Sequence, residues 1–204
     1  MRFKTSSPLF SSVLRSSVMA ISTFLNFVSA SADSEAEPTY QSVGVVLSSW
    51  ERIEFNLAQL YSSLVGHPNG DAIPQYGSER IYKLRTDVLK RAADNHFINY
   101  CNQEMEAKFD KICACCDDMS KLRNDVAHAI VMDVSLITYF RNTLNLVEND
   151  SAFMLIPPLY LGSRHLNNGL PSFAYSSVDL LSIASDMLLL EDEIKHFRLT
   201  YRSA

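Results

Sequence analysis

The stretch SSVDLLSIASDMLLLEDEIKHFRLTYR, residues 176–202, is typical of a long amphipathic helix. Because 3.6 residues complete a helical turn, apolar side chains spaced three and four apart share one face. Here that spacing holds for Leu180, Ile183, Met187, Leu190, Ile194, Phe197 and Tyr201. Ser176 or Ser177 can cap the N-terminus, with Asp179 in the first turn, and residues 191–193 are expected on a solvated face. A stripe of this length predicts a partner helix, from the same chain or from a second copy.

Three segments upstream are predicted to be helical as well. Residues 41–65 carry a stripe through Trp50, which we expect in the core, and residues 102–131 carry one that could break near residues 117–118. Residues 78–95 are expected to form a third helix. Its predicted inward face consists of Ile81, Leu84, Val88 and Ala92.

Residues 136–176 have a looser pattern. Residues 136–147 are compatible with a helix, and residues 153–160 contain a double proline that suits an edge strand. The turn sequence Asn-Asn-Gly at residues 167–169 indicates a return strand at residues 171–175. We therefore expect a small β-hairpin, around residues 152–176, appended to an all-α bundle of four to five helices.

The sequence KLRNDVAH, residues 121–128, brings three chemically useful side chains into two helical turns. Arg123 is a permanent cation, Asn124 an amide, and His128 an imidazole that titrates near neutral pH. Together they could hold a phosphodiester and move a proton. Arg123 also occupies an apolar position of its stripe, which favours either a functional site or a buried ion pair.

This motif resembles the R-x(4–6)-H motif of the HEPN superfamily, all-helical proteins that include RNA-cleaving toxins and antiviral effectors. The resemblance implies a HEPN-like domain over residues 39–204 that pairs through this helix as a homodimer. It implies a metal-independent RNA endonuclease that needs no cofactor and leaves a cyclic phosphate. His128 would act as general base or acid, Arg123 would stabilise charge on the phosphate, and Asn124 would orient phosphate or histidine. A cognate antitoxin would be a further partner of a toxin in this class.

Three other interpretations remain open. Arg123 could pair with Asp125, Asp118 or a carboxylate on another helix, with His128 merely packed or capped. The chain could be a catalytically inactive HEPN-like module that binds RNA or nucleotides, or that dimerises. A zinc site could consist of Cys113, Cys116 and one of His96, His128 or Cys101. Cys113 and Cys116 are three residues apart on a helix, but no second pair has ligand spacing, so we expect no metal.

Net charge indicates which partners are expected, and cysteine usage indicates the cellular compartment. The 204 residues carry a net charge of −5, which argues against broad phosphate contacts and leaves no reason to expect DNA binding. A local basic surface for RNA is still predicted, consisting of Lys83, Arg85, Lys90, Arg91 and Lys121. Three of the four cysteines lie within four residues, which favours reduced thiols and a cytoplasmic protein.

Residues 1–38 are expected to be a leader and a polar linker. Residues 18–28 are apolar and are followed by Ala-Ser-Ala, which has the shape of an export signal. Arg15 interrupts the apolar stretch, so an over-extended start of the reading frame is the other interpretation. The uninterrupted apolar part is shorter than about 20 residues, which makes a membrane span the less favoured prediction.

Overall fold

The computed structural model describes residues 33, 35–100, 103–147, 151–158, 160, 166–167 and 170–201, so the predicted leader at residues 1–32 lies outside it. In this part the helices are α1 (Ala36–Leu64), α2 (Ile73–Gly77), α3 (Tyr82–Tyr100), α4 (Gln103–His128), α5 (Thr138–Thr143) and α6 (Ser177–Thr200). The strands are β1 (Ile130–Asp133), β2 (Phe153–Ile156), β3 (Leu166–Asn167) and β4 (Leu170–Pro171). The predicted all-α character is confirmed, with small antiparallel sheets added.

The chain divides into two compact units. Of the described residues, those within 46–124 and 187–201 form the helical unit, and those within 33–45 and 125–186 form the mixed unit. In the helical unit, the predicted stripes are buried in α1 from Val46 to Leu64, in α4 from Met105 to Met119 and in α6 from Met187 to Phe197. Three phenylalanines from different helices meet there, with ring centroids 6.0 to 6.4 Å apart: Phe97, Phe109 and Phe197. The last stripe therefore finds partner helices within its own chain.

Helix α1 ends where the sequence places a glycine. Gly66 has φ +86°, a left-handed conformation that glycine adopts without steric cost. The N–H of His67 donates to the carbonyl of Ser62 at 2.8 Å, and the N–H of Gly66 donates to Ser63 at 3.1 Å. This pair of bonds is the Schellman pattern, which satisfies the last carbonyls of a helix.

The inward face predicted for α3 is wrong at Ile81 and Leu84. Ala92 is buried as predicted and Val88 is half-buried, but Ile81 is 61% exposed and Leu84 is 44% exposed, and the other buried positions are Thr86, Leu89, Ala93 and Phe97. Thr86 can be buried because its hydroxyl donates to the carbonyl of Tyr82 at 2.9 Å. A polar residue satisfied by its own helix thus shifts the buried face. The short helix α2 was not predicted.

In the mixed unit, the partner of β2 differs from the prediction. Residues 153–156 do form a strand, but they pair with Ile130–Asp133, of which residues 130–131 were predicted to end a helix. With β2, the described residues 171–175 form a single bridge, between Leu155 and Tyr175. The predicted hairpin is reduced to the two-residue pair of β3 and β4, and its turn residues 168–169 lie outside the described chain.

Residues 33–38 are not a linker, because α1 begins at Ala36 and Asp33 is tied to the mixed unit. The carbonyl of Asp33 accepts a hydrogen bond from the N–H of Phe153 at 2.9 Å. Its carboxylate accepts one from the hydroxyl of Thr39 and one from Ser177 at 2.7 Å. Asp33 thereby joins the start of α1 to β2 and to the start of α6.

Helix α6 begins as predicted. The carboxylate of Asp179 accepts hydrogen bonds from the N–H and the hydroxyl of Ser176, at 3.0 and 2.8 Å, so Ser176 is the cap. Further along, Glu191 contradicts the prediction of a solvated acidic face, because it is 3% exposed. Arg52 and Lys195 balance its charge, at 2.9 and 2.6 Å.

Within the described residues, no helix combines the length and the apolar character that crossing a membrane requires.

Candidate functional site

The predicted catalytic side chains lie on the last turns of α4. The helix is continuous from residue 103 to His128, so the break considered near residues 117–118 does not occur. Leu122 and Val126 are buried and fix the orientation of these turns. Arg123 is half-buried, and Asn124 and His128 are exposed.

Arg123 packs against an aromatic side chain. Its Cζ lies 5.2 Å from the centroid of the Trp50 ring, within the range of a cation–π contact. Tyr82 meets the same ring edge-on, with centroids 5.2 Å apart. Trp50 belongs to the core, as predicted, but it also fixes the arginine of the motif.

Arg123 forms no ion pair with any residue that the structure describes, and its buried Nε has no hydrogen-bond partner there. The carboxylate of Asp118 pairs with Lys121 at 2.8 Å. Asp117 accepts a hydrogen bond from the Tyr82 hydroxyl at 3.1 Å and lies 3.6 Å from Lys90. The interpretation of Arg123 as one half of a structural ion pair therefore lacks a partner in the described chain.

Asn124 and His128 are four residues apart, so they project from the same side of α4. Five residues turn an α-helix by about 140°, so a straight α4 does not aim Arg123 and His128 at one point. The helix thus provides two features: a polar pair of Asn124 and His128, and a cation held on Trp50.

The predicted RNA-binding cations have unequal surroundings. Three of them form ion pairs on the surface: Lys83 with Asp87 at 3.0 Å, Lys90 with Asp117 at 3.6 Å and Lys121 with Asp118 at 2.8 Å. Arg91 is exposed, with no ion pair to another described residue. Surface pairs of this kind are weak and can exchange for phosphate.

Arg85 forms an ion pair with a buried carboxylate of the helical unit. Its Nη2 and Nε lie 2.6 and 3.1 Å from the two carboxylate oxygens of Glu54, which is 8% exposed. The hydroxyl of Tyr76 donates to the same carboxylate at 3.1 Å. A bidentate pair of this kind leaves Arg85 a structural residue, so it is not part of the RNA site we propose.

Cys113 and Cys116, the two thiols that define the zinc hypothesis, are buried, and so is their neighbour Cys115. Burial raises the pKa of Cys113 to about 12 and that of Cys115 to about 11. Burial also raises the pKa of Cys116 well above its usual value. A zinc ligand is a thiolate, which this environment disfavours. No group of three His, Cys, Asp or Glu side chains within the described residues has the arrangement of a metal site.

Sequence analysis missed the contact between Trp50 and Arg123. The sequence does indicate that both residues face the core, because each occupies a position of the apolar stripe of its helix. The pairing itself depends on how α1 packs against α4, and one sequence does not give that.

No family model, no curated protein and no solved structure matches this chain.

Proposed function

We propose that this protein is a metal-independent RNA endonuclease of HEPN type, acting as a toxin or defence effector. The observation that supports the proposal best is the state of Arg123, a partly buried cation without a carboxylate partner among the described residues. An arginine in that state is suited to phosphate, which its planar guanidinium binds in bidentate fashion.

In the proposed reaction, His128 removes the proton from a ribose 2′-hydroxyl. The 2′-oxygen then bonds to phosphorus, the bond from phosphorus to the 5′-oxygen breaks, and that oxygen takes up a proton. The products are a 2′,3′-cyclic phosphate and a 5′-hydroxyl. Arg123 stabilises the charge that develops on the phosphate, and Asn124 orients phosphate or histidine.

The geometry of α4 favours a homodimer as the active form. One straight helix directs Arg123 and His128 to sides about 140° apart. Two copies packed through α4 would let Arg123 of one copy face His128 of the other, across a two-fold axis.

The second function is a catalytically inactive module that binds RNA or dimerises. The contact of Arg123 with Trp50 favours it, because that contact also stabilises the core by a cation–π interaction. In this case RNA would be bound but not cut.

The test is RNA cleavage by the purified full-length chain in EDTA, with His128→Ala and Arg123→Ala beside it. His67→Ala is the matched control, because His67 is an exposed histidine in a loop. Cleavage that persists in EDTA and in His67→Ala, but is lost in the other two variants, would support the nuclease. A folded wild type that cuts no RNA would leave the binding module as the better proposal.

A further inference from the structure

The helical unit contains a cavity of about 430 Å³ between the end of α1 and the C-terminal half of α3. It is lined by residues 63–66, from α1 and the turn after it, and by Ala92, Asn95 and His96 from α3. Sites for small molecules have volumes of about 300 to 1,000 Å³, so this cavity is large enough for one ligand. Val65 and Asn95 are exposed, so that ligand can enter from solvent.

His96 is the titratable group of this cavity. Burial lowers its pKa below the usual value, an effect larger than the opposing one of a hydrogen bond with the backbone of Leu64. The imidazole is therefore mostly neutral at neutral pH, and the ring of Tyr201 meets it edge-on, with centroids 5.3 Å apart. A neutral imidazole that donates one N–H to a carbonyl presents its other nitrogen as an acceptor.

The electrostatics of the cavity disfavour an anion. None of the described residues that line it is a lysine, an arginine, an aspartate or a glutamate. Helix α1 has 29 residues and ends here, so the negative end of its dipole lies at the cavity. A phosphate would meet no counter-charge among these residues, whereas an uncharged ligand with N–H donors is favoured.

The side chains that line the cavity indicate the shape of such a ligand. Leu64, Val65 and Ala92 provide aliphatic surface, which suits the faces of a flat ring. Asn95 provides an amide that both donates and accepts, and His96 provides an acceptor nitrogen. The edge of the ring should therefore present an amino group beside an acceptor, which is how adenine is recognised by an asparagine.

We propose that this cavity binds one nucleobase that carries an exocyclic amino group, such as adenine. The amino group donates its two hydrogens to Asn95 and His96, and the neighbouring ring nitrogen accepts from the Asn95 amide. The inference rests on the proposed function in one respect, which is that RNA supplies the base.

Equilibrium dialysis of the full-length protein against uncharged nucleosides tests the proposal without any contribution from phosphate. The probes are adenosine, uridine and purine riboside, which has the ring of adenosine without the amino group. We expect saturable binding of adenosine, and an affinity for purine riboside that is lower about fivefold or more, as for the loss of one hydrogen bond. Uridine should also bind more weakly than adenosine, and inorganic phosphate should not displace adenosine.

Two neighbouring residues of α3 provide a matched pair of variants. Asn95→Ala removes the amide and should weaken adenosine binding about fivefold or more. Asp94→Ala truncates an exposed side chain that does not line the cavity, and it should leave the affinity within about twofold. His96→Phe keeps an aromatic ring beside Tyr201 but removes the acceptor nitrogen, so it should weaken binding as Asn95→Ala does. Circular dichroism verifies folding, and Asn95→Ala, at an exposed position, still provides the test if His96→Phe does not fold.

Several results would overturn the inference. They are no adenosine binding by the folded wild type, binding of purine riboside or uridine as tight as that of adenosine, and displacement of adenosine by phosphate. Equal affinities of Asn95→Ala and Asp94→Ala would overturn it too.

The same measurements separate this inference from the nuclease. A wild type that binds adenosine but cuts no RNA rejects the nuclease alone. A wild type that cuts RNA but binds no adenosine rejects this inference alone.

Discussion

Two arginines that the sequence assigns to phosphate have different electrostatic surroundings. Arg85 faces the buried carboxylate of Glu54 at 2.6 Å, so its charge is balanced inside the protein. Arg123 faces the ring of Trp50, and no described carboxylate balances it. Residue type and local sequence do not distinguish the paired arginine from the unpaired one, because the side chain that each contacts belongs to a second helix.

The Arg85–Glu54 pair predicts a large effect from a small change. Glu54→Gln leaves Arg85 beside a neutral amide, and an uncompensated, mostly buried cation costs about 3 kcal/mol of unfolding free energy. Urea unfolding measures this loss. Asp87→Asn is the control, because it breaks the exposed Lys83–Asp87 pair and should cost about 0.3 kcal/mol. Equal effects of the two variants would contradict a structural role for Arg85.

The buried thiols predict how stability varies at alkaline pH. Burial raises the pKa of Cys113 to about 12 in the folded protein, above its ordinary value of 9.0. The folded chain therefore keeps this proton where the unfolded chain loses it. The resulting contribution to stability is complete below about pH 9 and is lost as the pH rises through the folded pKa.

Unfolding free energies at pH 8 and pH 10 test this sign. Stability should be lower at pH 10, and Cys113→Ala should reduce the difference between the two pH values. The variant also isolates the thiol from lysines and tyrosines that titrate in the same range. An unchanged pH dependence in Cys113→Ala would show that the thiol contributes nothing to it.

Among the elements, the long helices could be predicted from the sequence and the first sheet could not. The stripe of α6 is buried at six successive positions from Leu180 to Phe197, because its period matches a helix throughout. In contrast, residues 130–133 are too few to reveal a period, and Ile130 also fits the α4 stripe. Only pairing with β2 decides that they form a strand.

The candidate site, too, could be predicted from the sequence only in part. The placement of Arg123, Asn124 and His128 on one helix was predictable from residues 121–128, since α4 retains its period up to His128. The contact with Trp50 was not, because it joins residues 73 positions apart in sequence, 123 minus 50. Predicting it would have required the packing of α1 on α4.

The start of α6 permits a quantitative test of an element boundary. Ser176 is fully buried and exchanges hydrogen bonds with Asp179, so Ser176→Ala removes the cap and should cost about 1 kcal/mol. Urea unfolding compares it with Ser182→Ala, an exposed position inside the same helix. There the change should be near zero or slightly stabilising, because alanine is the better helix former. A similar cost at both positions would argue against a capping role.

Taken over the entire chain, the charge limits how RNA can be bound. With 23 acidic against 18 basic residues, most of the long-range field repels a polyanion. Among the cations still proposed to contact RNA, Lys83, Lys90 and Lys121 have acidic partners. Arg91 and Arg123 have none in the described part of the chain.

This distribution predicts a weak dependence of RNA binding on salt. If Arg91 and Arg123 make the phosphate contacts, two phosphates are neutralised, and log K should fall with log salt with a slope of about −1.4 for single-stranded RNA. If the three paired lysines also exchange their partners for phosphate, the slope approaches about −3.5. Fluorescence anisotropy of a labelled oligoribonucleotide, with His128→Ala to prevent cleavage, distinguishes these values. If the wild-type slope is about −1.4, Arg91→Gln should make it shallower by about 0.7. A wild-type slope near about −3.5 would instead mean that the ion pairs on α3 and α4 open when RNA binds.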